Sequence, residues 1–389
     1  MSNSTLRQSG PVDCSVNYKL YNDAQENPSN VCLDTSAVVG LAFQAEAGLV
    51  SLIALLLLVG TILRNYRRNI IKPPPGPWRL FRGNIDILML NLIFADIWMS
   101  IGSVPNIYWA HRRQVYCGPM CNAQGAIQTI GETAVAFATI LVTVYTFFVI
   151  YTNRRPEYRP WYCLAAIAAM WLWVILWGLI PMAVHSGKEP DSGGARIYYT
   201  PTPWWCWING RYMKDRIVAE YLWLWVAGLG TICFYFPSYL ILRKNKKHLL
   251  ESLNTDPASG RLAFDRSSDM PSKMLYYPLA YTLCILPLSI MRWAAFANPS
   301  LLSNPRMNPP SMVFSVTFYL MGLINVLLTI WIRPSILLLT SDGQLGPHDP
   351  RYIKETRHFG PEARQIHRSS ASESSRQHLA PEAITGWQT

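Results

Sequence analysis

Apolar residues along this chain gather into seven stretches, at 37–63, 85–108, 127–151, 161–184, 217–242, 274–296 and 312–332. Polar, basic or proline-rich segments separate them. A helix rises about 1.5 Å per residue, so roughly 20 residues traverse some 30 Å of hydrocarbon. A helix also satisfies its own backbone groups, which lipid cannot do. The pattern therefore predicts an all-α membrane protein, a seven-transmembrane helix bundle forming one domain. An odd number of spans puts the two termini on opposite sides.

Composition agrees: half the residues are apolar and 15% are charged. Many of the 15 Trp and 20 Tyr stand at span ends, among them Tyr108, Trp109, Tyr151, Trp161, Trp204, Trp205 and Trp207. Amphipathic rings collect at headgroup level. The formal charge of +11 raises nucleic acid as a partner, but its placement argues against one. Arg64, Arg67, Arg68, Lys72, Arg79 and Arg82 fill the first loop without an acid; Arg154, Arg155 and Arg159 lie in the third; Arg243, Lys244, Lys246 and Lys247 follow span five. These loops alternate with less basic ones, although Arg112 and Arg113 stand on the other face. The positive-inside rule places the basic loops in the cytoplasm, the N-terminus outside and the C-terminus inside.

The cysteines vote on sidedness independently. Cys163, Cys233 and Cys284 fall inside spans, where a small apolar role suffices. Cys14, Cys32, Cys117, Cys121 and Cys206 all fall on the face assigned as external, in keeping with an oxidising exterior. Either Cys121 or Cys117 with Cys206 ties the top of span three to the loop before span five, and Cys14 can bond Cys32. Spacing leaves the connectivity open.

Three regions follow: an external segment 1–36, the membrane domain 37–334 and a cytoplasmic tail 335–389 that reads as disordered. No cleavable signal is visible in the polar first 36 residues, so span one serves as the anchor. Asn3-Ser4-Thr5 is a glycosylation acceptor. Ser369, Ser370, Ser372, Ser374 and Ser375 cluster around Glu373 as kinase targets. Prolines 73, 74, 75 and 77 stiffen the first loop, and the loop 243–273 reads as polar and partly disordered.

Ionisable groups at membrane depth are costly and face the bundle interior. Asp96 stands mid-span two and favours a functional role, in a polar network that binds a ligand or ion. Glu132 in span three and Arg292 near the outer end of span six neutralise each other if they share a cavity. Glu46 and Glu220, nearer an interface, read as snorkelling side chains. Pro181, Pro237, Pro278 and Pro287 mark bends, and the two in span six make it the candidate moving element. Soluble-enzyme chemistry is missing: the chain has no P-loop, His-Glu-x-x-His, paired CxxC or dinucleotide fingerprint. Neither an enzyme, a metal site nor a cofactor is expected.

Several motifs together resemble the G-protein-coupled receptors, over 37–334. Asn91-Leu92-x-x-Ala95-Asp96 resembles their span-two signature, whose Asp in many members binds sodium and couples to activation. Trp171 with Pro181 resembles the span-four pattern, and Cys121 with Cys206 the disulfide from span three to the second external loop. Cys284-Ile285-Leu286-Pro287 resembles the span-six switch with Ile in place of Trp. Span three ends in Val144-Tyr145-Thr146 rather than Asp-Arg-Tyr, and span seven has Asn325 without Asn-Pro-x-x-Tyr. These departures set the chain apart from the rhodopsin-like majority. Trp205-Cys206-Trp207-Ile208 is similar to the slime-mould cAMP receptors. Tyr276 to Tyr281, and the ending from Asn325 to Arg333-Pro334, resemble the fungal glucose-sensing receptors.

The resemblance implies a plasma-membrane receptor for a nutrient or other small molecule, coupled to a heterotrimeric G protein through Gα, commonly one that raises cAMP. It implies a ligand beneath Trp204, Trp205 and Trp207 and near Glu132 and Arg292. Asp96, Asn325 and Pro287 would then serve activation, and Arg154, Arg155, Lys244, Lys246 and Lys247 would meet the G protein. The competing class is a transporter or channel, which calls for polar residues through the midplane of several helices, and Asp96 with Glu132 make a thin path. A retinal protein needs a Schiff-base lysine in span seven, and 312–332 contains none.

Overall fold

Each of the seven apolar stretches is helical. The computed structural model describes residues 14, 30–72, 81, 83–152, 159–185, 198–202, 204–255, 273, 275–297 and 308–332. The spanning helices are Thr35–Ile71, Asn84–Ser103, Pro119–Thr152, Pro160–His185, Leu222–Thr255, Tyr276–Ala297 and, for span seven, the pair Asn308–Tyr319 and Met321–Ile332. Residues 1–61 with 81–337 form one compact unit, which carries the bundle. Of a second unit, 62–80 with 338–389, the described residues are 62–72, helical through Ile71.

The starts of the spans follow from local chemistry. Asp34 Oδ1 accepts the Ala37 N–H at 2.9 Å, capping an orphan donor of span one. Asp86 Oδ2 reaches back to the Gly83 N–H at 3.1 Å at the start of span two. Pro119 and Pro160 open spans three and four, where a missing N–H costs nothing.

Span three is the hub, packing against spans two, four, five and six. Ala134, Val135, Ala136 and Ala138 are buried, and small residues let helices approach closely where lipid supplies no hydrophobic drive. At Gly131 an added Cβ would lie 2.6 Å from the Met99 Cα, so glycine permits the contact with span two. Ser51 Oγ donates to the Tyr319 carbonyl at 2.7 Å, joining span one to span seven. Ile53, Leu57, Leu172, Leu240, Leu283 and Ile290 are exposed on outward faces, as acyl chains require.

Two short antiparallel strand pairs, the second of them a hairpin, sit at one end of the bundle. β1 (Asn30–Cys32) pairs antiparallel with β2 (Gln114–Tyr116), and β3 (Tyr199–Pro201) with β4 (Cys206–Ile208). A short helix, Pro105–Arg112, leads into β2 and ends on Arg113 in the left-handed conformation, φ 55°.

Three expectations change. The span-five helix runs on to Thr255, so residues 243–255 of the supposed polar loop 243–273 are helical; its charged residues read as loop by composition but also suit a helix in water. Pro278 lies in the first turn of Tyr276–Ala297, leaving Pro287 as the proline inside span six. A first-turn proline interrupts no helical bond, so the paired-kink reading of span six falls. A break between helices lies instead in span seven, a 41° bend between Pro310–Tyr319 and Met321–Ile332.

Candidate functional site

The β3–β4 hairpin is latched to span three at consecutive turns. Cys121 and Cys206 are disulfide-bonded with Cα atoms 5.2 Å apart, which settles the pairing left open between Cys117 and Cys121. Cys14 is bonded to Cys32, and Cys117 is a buried free thiol. Gln124 Oε1 accepts the Cys206 N–H at 3.1 Å, and the Tyr199 hydroxyl donates to the Gly178 carbonyl at 2.8 Å. Gly125 lets the Tyr199 ring lie against span three, where a Cβ would collide with it. Burial raises the Tyr199 phenol above its ordinary range, keeping it a neutral donor.

Latched in this way, the hairpin drives its tryptophans into the bundle. Trp204, Trp205 and Trp207 are all buried. Arg292 of span six lies with its guanidinium carbon 4.9 Å from the Trp205 ring centre and 5.4 Å from that of Trp207. Its Nη1 is 3.8 Å from Glu220 Oε1, and the Trp207 indole N–H donates to Glu220 Oε2 at 2.7 Å. Arg216 adds a second guanidinium 4.6 Å from the Trp207 ring and donates its Nε–H to the Ile208 carbonyl at 2.8 Å. Cations over indole faces are held by the ring quadrupole, most strongly where water is excluded.

Beneath this layer Gln128 Nε2 donates to Glu132 Oε1 at 2.9 Å and lies 2.6 Å from the Tyr319 hydroxyl. The carboxyls of Glu132 and Glu220 adjoin each other. Gln128 Oε1, Trp205 Nε1 and the Tyr281 hydroxyl are buried without a hydrogen-bond partner. Unsatisfied buried groups are costly, and a bound molecule with both donors and acceptors would relieve the cost.

The five residues named for a ligand, Trp204, Trp205, Trp207, Glu132 and Arg292, thus lie at one end of the bundle. Two details differ from expectation. The ion pair of Arg292 is with Glu220, and Glu220 is fully buried rather than snorkelling. A π turn at Ile217–Tyr221 is the physical reason. Its extra residue shifts the helical faces before and after it by about 100°, which no apolar pattern reveals. Glu46 is exposed, as a side chain outside the polar network should be.

A second polar cluster lies among spans two, four and seven. Asn325 Nδ2 donates to Asp96 Oδ2 at 2.6 Å, with both residues buried. The Trp171 indole donates to Asn91 Oδ1 at 2.9 Å, joining the span-two and span-four motifs. Asp96 Oδ1 and Asn325 Oδ1 have no partner, nor has Ser100 Oγ one turn on. Oxygen donors of this kind suit a hard cation; among the described residues no three His, Cys, Asp or Glu converge on a metal position. Pro287 lies within the span-six helix.

At the opposite end Lys244 and Lys247 are exposed on the span-five helix, which also carries Lys246. Arg154, Arg155, Asn3 and the serines at 369, 370, 372, 374 and 375 lie outside the described residues.

Comparison with known proteins accords with this geometry. No curated protein matches the chain. Among solved structures squid rhodopsin is similar in fold, with a TM-score of 0.53 at 12% identity over 93% of this chain and 97% of that one. The model of the rhodopsin family of seven-transmembrane receptors matches residues 79–328. The unusual endings of spans three and seven do not remove the chain from that family. With well over half of its length matched, from span two through most of span seven, the chain belongs to the rhodopsin family of seven-transmembrane receptors.

Proposed function

We propose that this receptor sits in the plasma membrane with its hairpin end outside, binds a small nutrient-like molecule there, and activates a heterotrimeric G protein at the other end. The observation that carries the reading is the ion pair of Arg292 with Glu220 beneath Trp205 and Trp207. It joins span five to span six at the end the hairpin covers. A ligand that competes for Arg292, or takes up Gln128 Oε1, Trp205 Nε1 and the Tyr281 hydroxyl, loosens that tie. By binding the loosened arrangement more tightly it shifts the population toward it. Asp96 with Asn325, and Pro287 in span six, relay the change. Arg154, Arg155, Lys244, Lys246 and Lys247 supply cations at the end where Gα docks. Signalling through cAMP, and a nutrient as ligand, rest on the likeness of Trp205–Ile208 and Tyr276–Tyr281 to cAMP and glucose-sensing receptors.

Nucleotide exchange on a co-expressed Gα, in membranes exposed to sugars, amino acids and nucleotides in turn, tests the reading. One class should accelerate exchange in wild type, and Arg292→Met should abolish the response. Solute flux into reconstituted vesicles, with no effect on any Gα, would establish the transporter or channel instead.

A further inference from the structure

The unpartnered polar atoms of the tryptophan-capped cluster sort by chemistry. Gln128 Oε1 and Glu220 Oε1 are acceptors, Trp205 Nε1 is a donor, and the Tyr281 hydroxyl can be either; all four are buried without a hydrogen bond. The acceptors stand with Glu132, whose Oε1 takes the Gln128 amide at 2.9 Å and whose carboxyl adjoins that of Glu220. The indole donor stands with Arg292, whose guanidinium carbon is 4.9 Å from the Trp205 ring centre. One part of the cluster lacks donors and the other lacks an acceptor.

Charge balance narrows what can supply both. Arg216 and Arg292 bring two guanidiniums to the cluster, and Glu132 and Glu220 two carboxyls. A lone anion or cation added here leaves one charge uncompensated in a site closed to water, which is costly. A sugar carries no charge with which to part Arg292 from Glu220. A molecule with one positive and one negative group keeps the balance and competes for both partners at once. Arg292 Nη1 stands 3.8 Å from Glu220 Oε1, too far for a hydrogen bond, so the tie rests on charge alone. That short separation calls for a ligand whose own charges are close together. The nearby walls are aromatic: Trp207 lies 5.4 Å from Tyr221, and Tyr221 5.6 Å from Trp293, between ring centres.

Resting on the reading of this cluster as the ligand site, we infer that the ligand is a free α-amino acid with an apolar side chain. Its carboxylate takes Arg292, Trp205 Nε1 and the Tyr281 hydroxyl. Its ammonium has three N–H donors, which match Gln128 Oε1, Glu220 Oε1 and the Glu132 carboxyl. Its side chain lies against the aromatic rings. Both poles sit on one carbon, so the molecule parts Arg292 from Glu220 and gives each a new partner of opposite charge.

The full-length receptor tests this by two readouts: nucleotide exchange in membranes with a co-expressed Gα, and the unfolding temperature of the purified protein. The probes are the free L-forms of alanine, valine, leucine, isoleucine, methionine, phenylalanine and tryptophan, with D-glucose and AMP beside them. At least one amino acid should raise the unfolding temperature and accelerate exchange. Its analogue without the amine, and its analogue without the carboxylate (4-methylpentanoate and 3-methylbutylamine in the case of leucine), should each act at a concentration about a hundredfold higher or more. The double variant Glu220→Leu, Arg292→Met, which leaves no unpaired charge from that ion pair and so guards against misfolding, should bind none of them. Arg292→Lys, which keeps the cation, should still prefer the amino acid to its amine. Equal potency of either analogue overturns the inference, as does the absence of any unfolding shift with all seven amino acids. Exchange driven by D-glucose or AMP while every amino acid is inert also overturns it, and leaves the receptor reading standing. An amino acid that raises the unfolding temperature, with the analogues weakened, but never moves a Gα upholds the ligand and sinks the G-protein reading.

Discussion

At the scale of single residues the decisive pair is Glu220 with Arg292. Reading along the chain singled out Arg292 because a guanidinium near the end of an apolar span is costly. It passed over Glu220, since a carboxylate near an interface has an inexpensive escape to water. The structure denies that escape: Glu220 is fully buried, bonded to the Trp207 indole and paired with Arg292. Removing one partner of such a pair costs more than removing both, because the survivor stays buried and uncompensated. Arg292→Met should therefore lower the stability of the purified receptor by about 3 kcal/mol, with the double variant Glu220→Leu, Arg292→Met nearer wild type. Thermal unfolding in one detergent measures both, and equal losses in single and double variants would count against the pair. Cys117 gives a second residue-scale prediction. Burial pushes its thiol up to about 12, so at pH 8 about one molecule in ten thousand carries the reactive thiolate. Maleimide at that pH should leave Cys117 unlabelled in the folded protein and modify it after denaturation. Fast labelling of the folded state would contradict the burial.

At the scale of elements, what could be read in advance was whatever burial in lipid forces. Twenty or more apolar residues must be helical there, so the spans were legible in existence and number, whereas the starts at Asp34, Pro119 and Pro160 lie ahead of the apolar runs and were not read. What was hidden depends on geometry that composition does not encode. The π turn at Ile217–Tyr221 has the same residues a regular turn would have. The 41° break in span seven contains no proline, while the prolines flagged as bends include one, Pro278, in a first turn. The helix Leu222–Thr255 outlasts its apolar run, as does Thr35–Ile71, because charged residues suit a helix as well as a loop once water is available. Close approach is likewise a matter of position. Gly131→Ala would set a methyl 2.6 Å from the Met99 Cα, which backbone cannot vacate as a side chain can. It should destabilise the bundle by about 1–3 kcal/mol. Gly60→Ala meets nothing within 4 Å and should be neutral or slightly stabilising, by up to about 1 kcal/mol. Melting temperatures that fall equally for both would show that glycine matters there for reasons other than contact.

At the scale of the whole molecule, the ligand reading depends on which way the bundle sits. Loop charge and cysteine placement agree on the direction without sharing a physical cause, one being set during insertion and the other by redox chemistry. The two disulfides, Cys14–Cys32 and Cys121–Cys206, stand at the hairpin end with the Trp205–Arg292–Glu220 cluster. The latch spans 85 residues of sequence, and losing a bond of that kind costs about 2–5 kcal/mol. Cys206→Ser should therefore reduce the amount of receptor at the cell surface and blunt its response, and unchanged signalling would show that Gln124 and Gly125 hold the hairpin unaided. Sidedness itself can be read in intact cells. An epitope placed within residues 1–29 should stain before permeabilisation, and one placed within 338–389 only afterwards. The reverse result would put the tryptophan-capped cluster on the G-protein side. Arg292 and Glu220 would then be a structural tie, and the ligand would have to enter among the basic loops instead. Orientation thus decides between the two roles for a pair of residues whose geometry is the same in either case.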